Sequence, residues 1–231
     1  MKSLFIIPAR GGSKGIPYKN IKPLADKPLI DYTIDVARSF VSDEDICVST
    51  DNLDIIKVVE AYGLKVPFVR PPELATDKAG TYGVLLHALN FYENLGKNFD
   101  NIILLQNTSP FRKAEHVKEA LELYTSEIDM IVSVKETSSN PYYNCFEEDA
   151  NGYLRISKGD GTFVRRQDIP TTYEYNGAIY IINPESLKHQ TLGEFHKRVK
   201  YVMDEISSVD LDTMLDWQYA EFLIKEKVVE L

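Results

Sequence analysis

What this sequence lacks narrows its reading before any motif is considered. No apolar run approaches the ~20 residues that a membrane helix needs. The run near the start, Leu4 to Ile7, stops at Pro8, too short for the apolar stretch of a secretion signal. The expectation is a cytosolic location with no membrane partner. Cysteine is scarce, and the spacing of Cys47 and Cys145 fits neither a metal site nor a redox pair, so both read as reduced thiols without chemistry. Basic residues are outnumbered: 26 Lys and Arg against 35 Asp and Glu leave a net charge of −9. That balance argues against a long nucleic acid as partner, which would need a basic face. The common nucleotide fingerprints G-x-x-x-x-G-K-[ST] and G-x-G-x-x-G are also missing. His87, His116, His189 and His196 stand outside every motif described below.

What is present suffices for one sizeable α/β domain, since 231 residues that are 44% hydrophobic can bury a substantial core. The chain is organised around its first turn. Leu4 to Ile7 reads as a buried, parallel strand. Arg10-Gly11-Gly12-Ser13-Lys14-Gly15 then combines glycines, which allow close backbone approach, with cations that can face an anion. Lys2, Arg10, Lys14, Lys19 and Lys22 are the only charged residues before Asp26, so an acidic chain opens with five positive charges. A local cationic pocket of this kind suits a small polyanion such as a nucleoside triphosphate.

Alternating strand and helix patterns follow. Leu29–Arg38, Leu53–Tyr62, Tyr82–Tyr92 and Ala114–Tyr124 have helical periodicity. Ile46–Ser49, Val66–Val69, Asn101–Gln106, Met130–Val134, Tyr175–Ile182 and Val199–Met203 read as strands. Asp51 suits a ribose-binding acid, but the N-cap of the helix that follows is the favoured role. Arg70 and Gln106 sit at carboxyl ends of strands, where ligands bind in doubly wound sheets, although a solvated arginine and a strand-end amide are ordinary alternatives. Residues 136–172 lose periodicity and carry Tyr142, Tyr143, Phe146, Tyr153 and Phe163, which predicts an inserted β arm with surface for a second subunit. Asp210-Leu211-Asp212 can point two carboxylates to one side for a hard cation, with magnesium the expected ion. Asp212 equally suits the N-cap of a final helix whose apolar residues Leu215, Tyr219, Phe222 and Leu223 share one face.

Six segments in order, PARGGSKGIPYKN, FVRPPELATD, LLQNTSPFR, RRQDIP, YNGAIYI and SVDLDTMLDW, resemble the acylneuraminate cytidylyltransferases, which make CMP-sialic acid and its relatives. The resemblance implies an α/β, three-layer Rossmann-like nucleotide-sugar transferase fold. It has a mostly parallel mixed sheet, a single domain over 1–231, and a dimerisation arm over 136–172. It implies transfer of CMP from CTP to a nine-carbon 2-keto acid sugar by a Mg²⁺-dependent homodimer, with Kdo or pseudaminate as other acceptors and a non-catalytic nucleotide-binding protein as the distant alternative. By the same resemblance, Arg10, Lys19, Asp210 and Asp212 are catalytic, and the two aspartates hold the metal. Arg10, Gly11, Gly12, Ser13, Lys14, Lys19, Asn20, Arg70 and Thr81 bind the nucleotide. Gln106, Arg166, Asn176, Tyr180 and Phe195 bind the sugar; the aromatic arm in turn points to Arg166 reaching the neighbouring subunit's sugar, with local pairing to Asp168 or Asp160 as the alternative. The chain departs from the pattern where Phe195 is followed by His196 in place of a second aromatic found in some members.

Overall fold

Asn101–Leu105 forms the fully buried strand β5 near the middle of the sheet, as an unbroken apolar run requires when both faces are covered. The computed structural model describes residues 1–12, 15–76 and 79–230, apart from the side chain of Arg166. Around β5 lie β1 (Ser3–Pro8), β4 (Ile46–Ser49), β6 (Met130–Glu136), β9 (Tyr173–Ile182) and β10 (Arg198–Val202). The strand order is β10-β6-β9-β5-β1-β4, and β9 alone runs against its neighbours. The sheet is therefore mixed and mostly parallel. A two-residue ribbon, β2 (Pro23–Leu24) with β3 (Lys27–Pro28), precedes the first helix.

Strand alternation distributes the core between two layers. On one face, Phe5, Ile7, Ile103 and Leu105 pack with α1 (Leu29–Arg38), α2 (Leu53–Ala61) and α4 (Ala114–Glu122). On the other, Leu4, Ile6, Ile102 and Leu104 pack with α3 (Thr81–Asn94) and α5 (Pro184–His189). The last helix, α6 (Met214–Lys225), belongs to a third cluster in which Trp217, Ala220 and Leu223 meet Ile16, Phe111 and Leu211. This cluster holds the far end of the chain against the loop after β1.

Two expectations need correction, and one element is additional. Val66–Val69 is no strand; Val69 makes only an isolated bridge to Thr50, because Pro67 has no N–H to give a ladder. On α6 the apolar stripe Leu215, Tyr219 and Phe222 faces outward, while Trp217 takes the opposite face inward. Two apolar stripes compete on this helix, and the larger indole is the one buried. The helix α5 escaped the sequence reading although Asn183 caps it and Pro184 occupies its first turn. The segment 136–172 does contain a small ribbon, β7 (Phe146–Glu148) with β8 (Leu154–Ile156), whose Phe146, Tyr153 and Leu154 are exposed.

Candidate active site

The loop after β1 is held from three sides. Ala9 N donates to Ser49 O, and Gly11 N donates to the carboxylate of Asp51 at 3.0 Å. Asp51 is thus a clamp on the loop, and the N-cap role belongs to Asn52, whose Oδ1 accepts from the N–H groups of Asp54 and Ile55. A Cβ on Gly11 would lie 2.6 Å from Asn52 Nδ2, and one on Gly15 would lie 2.0 Å from the carbonyl oxygen of Asp212. Both glycines are therefore required for close approach. Gly12 faces open space. Ser13 and Lys14, both expected to bind phosphate, lie outside the described residues.

The contact at Gly15 brings the first turn against the acidic segment, and Lys19 fastens the two. Its Nζ donates to Leu211 O at 2.6 Å and approaches Asp212 Oδ1 at 3.3 Å. Leu211 is fully buried, and its N–H donates to Thr108 O at 2.9 Å, so the segment between the two aspartates is fixed at three points. Burial pushes the Asp210 carboxyl up, a hydrogen bond with Thr108 opposes this, and Asp212 adds to it. Asp210 Oδ1 is buried with no hydrogen-bond partner, an arrangement that a cation would satisfy. Asp212 does not cap α6. Thr213 does, its Oγ1 accepting from Asp216 N while Asp216 Oδ2 accepts from Thr213 N. The donor set therefore fits a metal ion taking two carboxylates, with substrate oxygens and water completing its shell. Among the described residues no group of three or more His, Cys, Asp or Glu offers a complete protein cage.

Beside this junction opens a cavity of about 280 Å³, walled in part by Arg10, Asn20, Arg70, Thr81, Gln106 and Thr108. Asn20 Nδ2 donates to Arg10 O at 3.0 Å, tying these two predicted residues together. Arg70 is buried, donates through Nε to Ser49 Oγ at 3.0 Å and through its terminal nitrogen to Ser49 O, and burial lowers its pKa. Thr81 is the first residue of α3, after an N-cap at Gly80. Gln106 lies against Gly177, whose φ of +77° and missing Cβ leave room for the amide.

The remaining sugar-side expectations divide. Asn176 is buried and fully engaged, accepting from Ser133 Oγ at 2.6 Å and donating to Ser208 Oγ at 2.8 Å, so it braces β9 and does not face the cavity. Phe195 is a core residue of the second layer, 2% exposed, because the apolar wall of α5 and β9 encloses it. Tyr180 is partly buried on β9 beside Tyr175 and feels the charge of Asp210. The side chain of Arg166 is outside the described residues; its neighbour Arg165 already grips both oxygens of Asp168, and Thr162 engages Asp160.

Sequence reasoning missed the supports of the site. Arg112 is a buried guanidinium that donates to Gln106 O, Ala178 O and Thr33 Oγ1 at 2.8, 3.1 and 3.0 Å, with burial lowering its pKa to about 9. No local signal links Arg112 to Thr33. A larger cavity of about 710 Å³ lies at the base of the arm, lined by Lys135, Asn140, Tyr143, Glu174 and Asp204 among others. None of the predicted site residues borders it.

The arrangement joins a glycine-rich basic turn to a carboxylate pair on one edge of a mostly parallel sheet, and the comparison with known families bears directly on it. Residues 4–229 match the model of a family described as cytidylyltransferase. The chain belongs to the cytidylyltransferase family. It is 38% identical to an N-acylneuraminate cytidylyltransferase of Streptococcus agalactiae over 98% of this chain and 56% of that protein. The chain thus spans about half the length of such relatives. It is 34% identical to a CMP-N,N'-diacetyllegionaminic acid synthase of Legionella pneumophila, covering 97% of each. A solved CMP:2-keto-3-deoxy-manno-octonic acid synthetase complexed with CTP shares the fold, with a TM-score of 0.71 at 17% identity over 98% of this chain and all of that one. Cytidylyltransferases of this kind are generally metal-dependent. Among the described residues no helix is long and apolar enough to cross a membrane.

Proposed function

We propose that this cytidylyltransferase moves CMP from CTP to the anomeric hydroxyl of a nine-carbon 2-keto acid sugar, N-acetylneuraminate or a close relative such as legionaminate. The observation that supports the reading is the Lys19 bridge, in which Nζ donates to Leu211 O and meets Asp212 Oδ1, so that the first turn and the Asp210–Asp212 segment adjoin. In the reaction the sugar oxygen bonds to the α-phosphorus while the bond from that phosphorus to the bridging oxygen of pyrophosphate breaks. Catalysis then rests on placement and on neutralising charge. Arg10, Lys14 and Lys19, with N–H groups of the 11–15 loop, hold the triphosphate and balance the charge leaving on pyrophosphate. Asn20 supports the nucleotide, and Arg70 and Thr81 lie at the nucleoside end of the cavity. Gln106 faces the acceptor, where an amide can both donate and accept. Asp210 and Asp212 would hold Mg²⁺, which when bound supplies Lewis-acid polarisation of the phosphate and a more acidic attacking hydroxyl.

Relatives and neighbours named for different 2-keto sugar acids leave the acceptor as the finer question, and Kdo or pseudaminate is the second reading. Pyrophosphate release that requires CTP and Mg²⁺, measured across a panel of 2-keto sugar acids, tests both. The expected result is turnover with N-acetylneuraminate or legionaminate at least tenfold above that with Kdo. The reverse order replaces the acceptor, and no CTP-dependent release with any sugar removes the enzymatic reading.

The exposed Phe146, Tyr153 and Leu154 of the arm support a homodimer in which the arm meets a second copy, with Arg166 gripping the sugar carboxylate bound to the partner. Arg166→Ala and Asp210→Ala proteins, each inactive alone, are expected to regain activity when mixed and allowed to exchange subunits, because one site of the mixed dimer keeps both residues. Subunit exchange verified by mass without recovery of activity would place Arg166 in its own subunit's site or outside the chemistry.

A further inference from the structure

The antiparallel pairing of β5 with β9 ends at Leu105 and Ile179, one step short of Gln106 and Ala178. Gly177, with a φ of +77°, breaks the extended run of β9 there, so the carbonyls of Gln106 and Ala178 need a donor from elsewhere. Arg112 supplies it. Its Nη1 donates to Gln106 O at 2.8 Å and to Ala178 O at 3.1 Å, while Nη2 donates to Thr33 Oγ1 on α1 at 3.0 Å. Arg112 is 4% exposed, and its Nε is buried with no partner among the described residues, so the side chain spends its bonds on these three acceptors. A planar guanidinium fork suits such a divided set, where a lysine ammonium would act as a point charge.

What this staple fixes is the seat of one side chain. Gln106 is half-buried and lines the cavity beside Arg10, Asn20 and Thr81. Its amide leans on Gly177, where a Cβ would lie 3.2 Å from Oε1 and 4.0 Å from Nε2. Among the described residues only its main-chain carbonyl is held by a side chain, so the aim of the amide depends on its own backbone and on that glycine wall. Arg112 grips both. One bond holds the backbone that carries Gln106, a second holds the residue after Gly177, and the third anchors the fork to α1, outside the cavity wall.

We infer that Arg112 is the positioning residue for Gln106, setting its amide toward the acceptor while touching neither substrate itself. The consequence for the acceptor rests on Gln106 facing the sugar, as proposed above. Misplacing a positioning group by about 1 Å costs up to about a hundredfold in rate, so a fault at Arg112 is felt at the cavity.

The test uses Arg112→Lys, which keeps the charge and loses the fork, and Thr33→Val, which removes one acceptor and keeps the measurement alive if the lysine variant misfolds. Melting curves show which variants are folded. The chain has four glutamines, so ¹⁵N-labelled glutamine side chains give four pairs of amide signals, and Gln106→Ala identifies the pair from Gln106. In the ligand-free variants that pair alone is expected to shift or broaden. With saturating CTP and Mg²⁺, the KM for the accepted sugar is expected to rise about tenfold in Arg112→Lys and about threefold in Thr33→Val. CTP affinity by calorimetry is expected to stay within about twofold of the wild type. On a Gln106→Ala background the same substitutions are expected to add less than about twofold to KM, because their route to the sugar is gone. An unmoved Gln106 signal or an unchanged sugar KM in Arg112→Lys overturns the inference. So do an equal loss of CTP affinity, which means general damage, and full additivity with Gln106→Ala. A protein that transfers CMP to no sugar would lose the proposed function, and the Gln106 signal would still decide whether Arg112 positions it.

Discussion

Asp210→Asn is expected to lower turnover by about three powers of ten, equivalent to about 4 kcal/mol of transition-state stabilisation, while leaving the melting temperature unchanged or raised. The two effects separate because Asp210 carries an orphaned, buried oxygen and a carboxyl pushed up by burial. Removing its charge relieves a cost of folding and, on the proposed reading, removes a metal ligand. Asp212→Asn is the companion. Its side chain is 73% exposed and caps nothing, so it too is expected to lose most turnover with little change in stability. Titrating Mg²⁺ against CTP-dependent pyrophosphate release checks both, with the melting curve as control. Retained activity with a wild-type Mg²⁺ dependence would sink the metal assignment.

Lys19→Ala is expected to cost two to three powers of ten in turnover, about the size of losing a preorganised oxyanion donor. Lys19 is buried to 13% side-chain exposure between the turn and the acidic segment, a place where charge is poorly screened and strongly felt. Lys22 gives the contrast. Its ammonium lies 5.1 Å from the ring centre of Trp217, on the outside of the third core cluster, and Lys22→Ala is expected to leave turnover within about twofold. Steady-state kinetics in CTP compare the two. Equal losses would mean a diffuse basic patch in place of a formed site.

Local patterns were enough for most of the fold. Helix α1 and strand β4 occupy the residues that their periodicity marks, and the apolar run of β5 lies fully buried near the middle of the sheet. Failures came where two local signals competed. Pro67 silenced a run of β-formers, Asn52 took the cap from its acidic neighbour, and α6 carried two apolar stripes of which Trp217 decided one. The glycine-rich basic turn and the Asp210/Asp212 pair were legible as motifs, because each joins particular residue types at short spacing. Their contact was not, since Gly15 against Asp212 and Lys19 against Leu211 are consequences of packing between distant segments. The same holds for Asn176 and Phe195, whose neighbours turn apparent ligand contacts into structural supports.

The Lys19–Leu211 bond joins residues 192 positions apart, and Leu211 is itself anchored by Thr108 and by the cluster around Trp217. Closing so long a loop is entropically slow compared with forming the local β-loop-α units that precede it. The contacts of Gly15 and Lys19 therefore form only after the segment around Leu211 and α6 has docked, however early β1 has folded. During synthesis Lys19 must wait for Leu211, 192 positions later, before this contact can form.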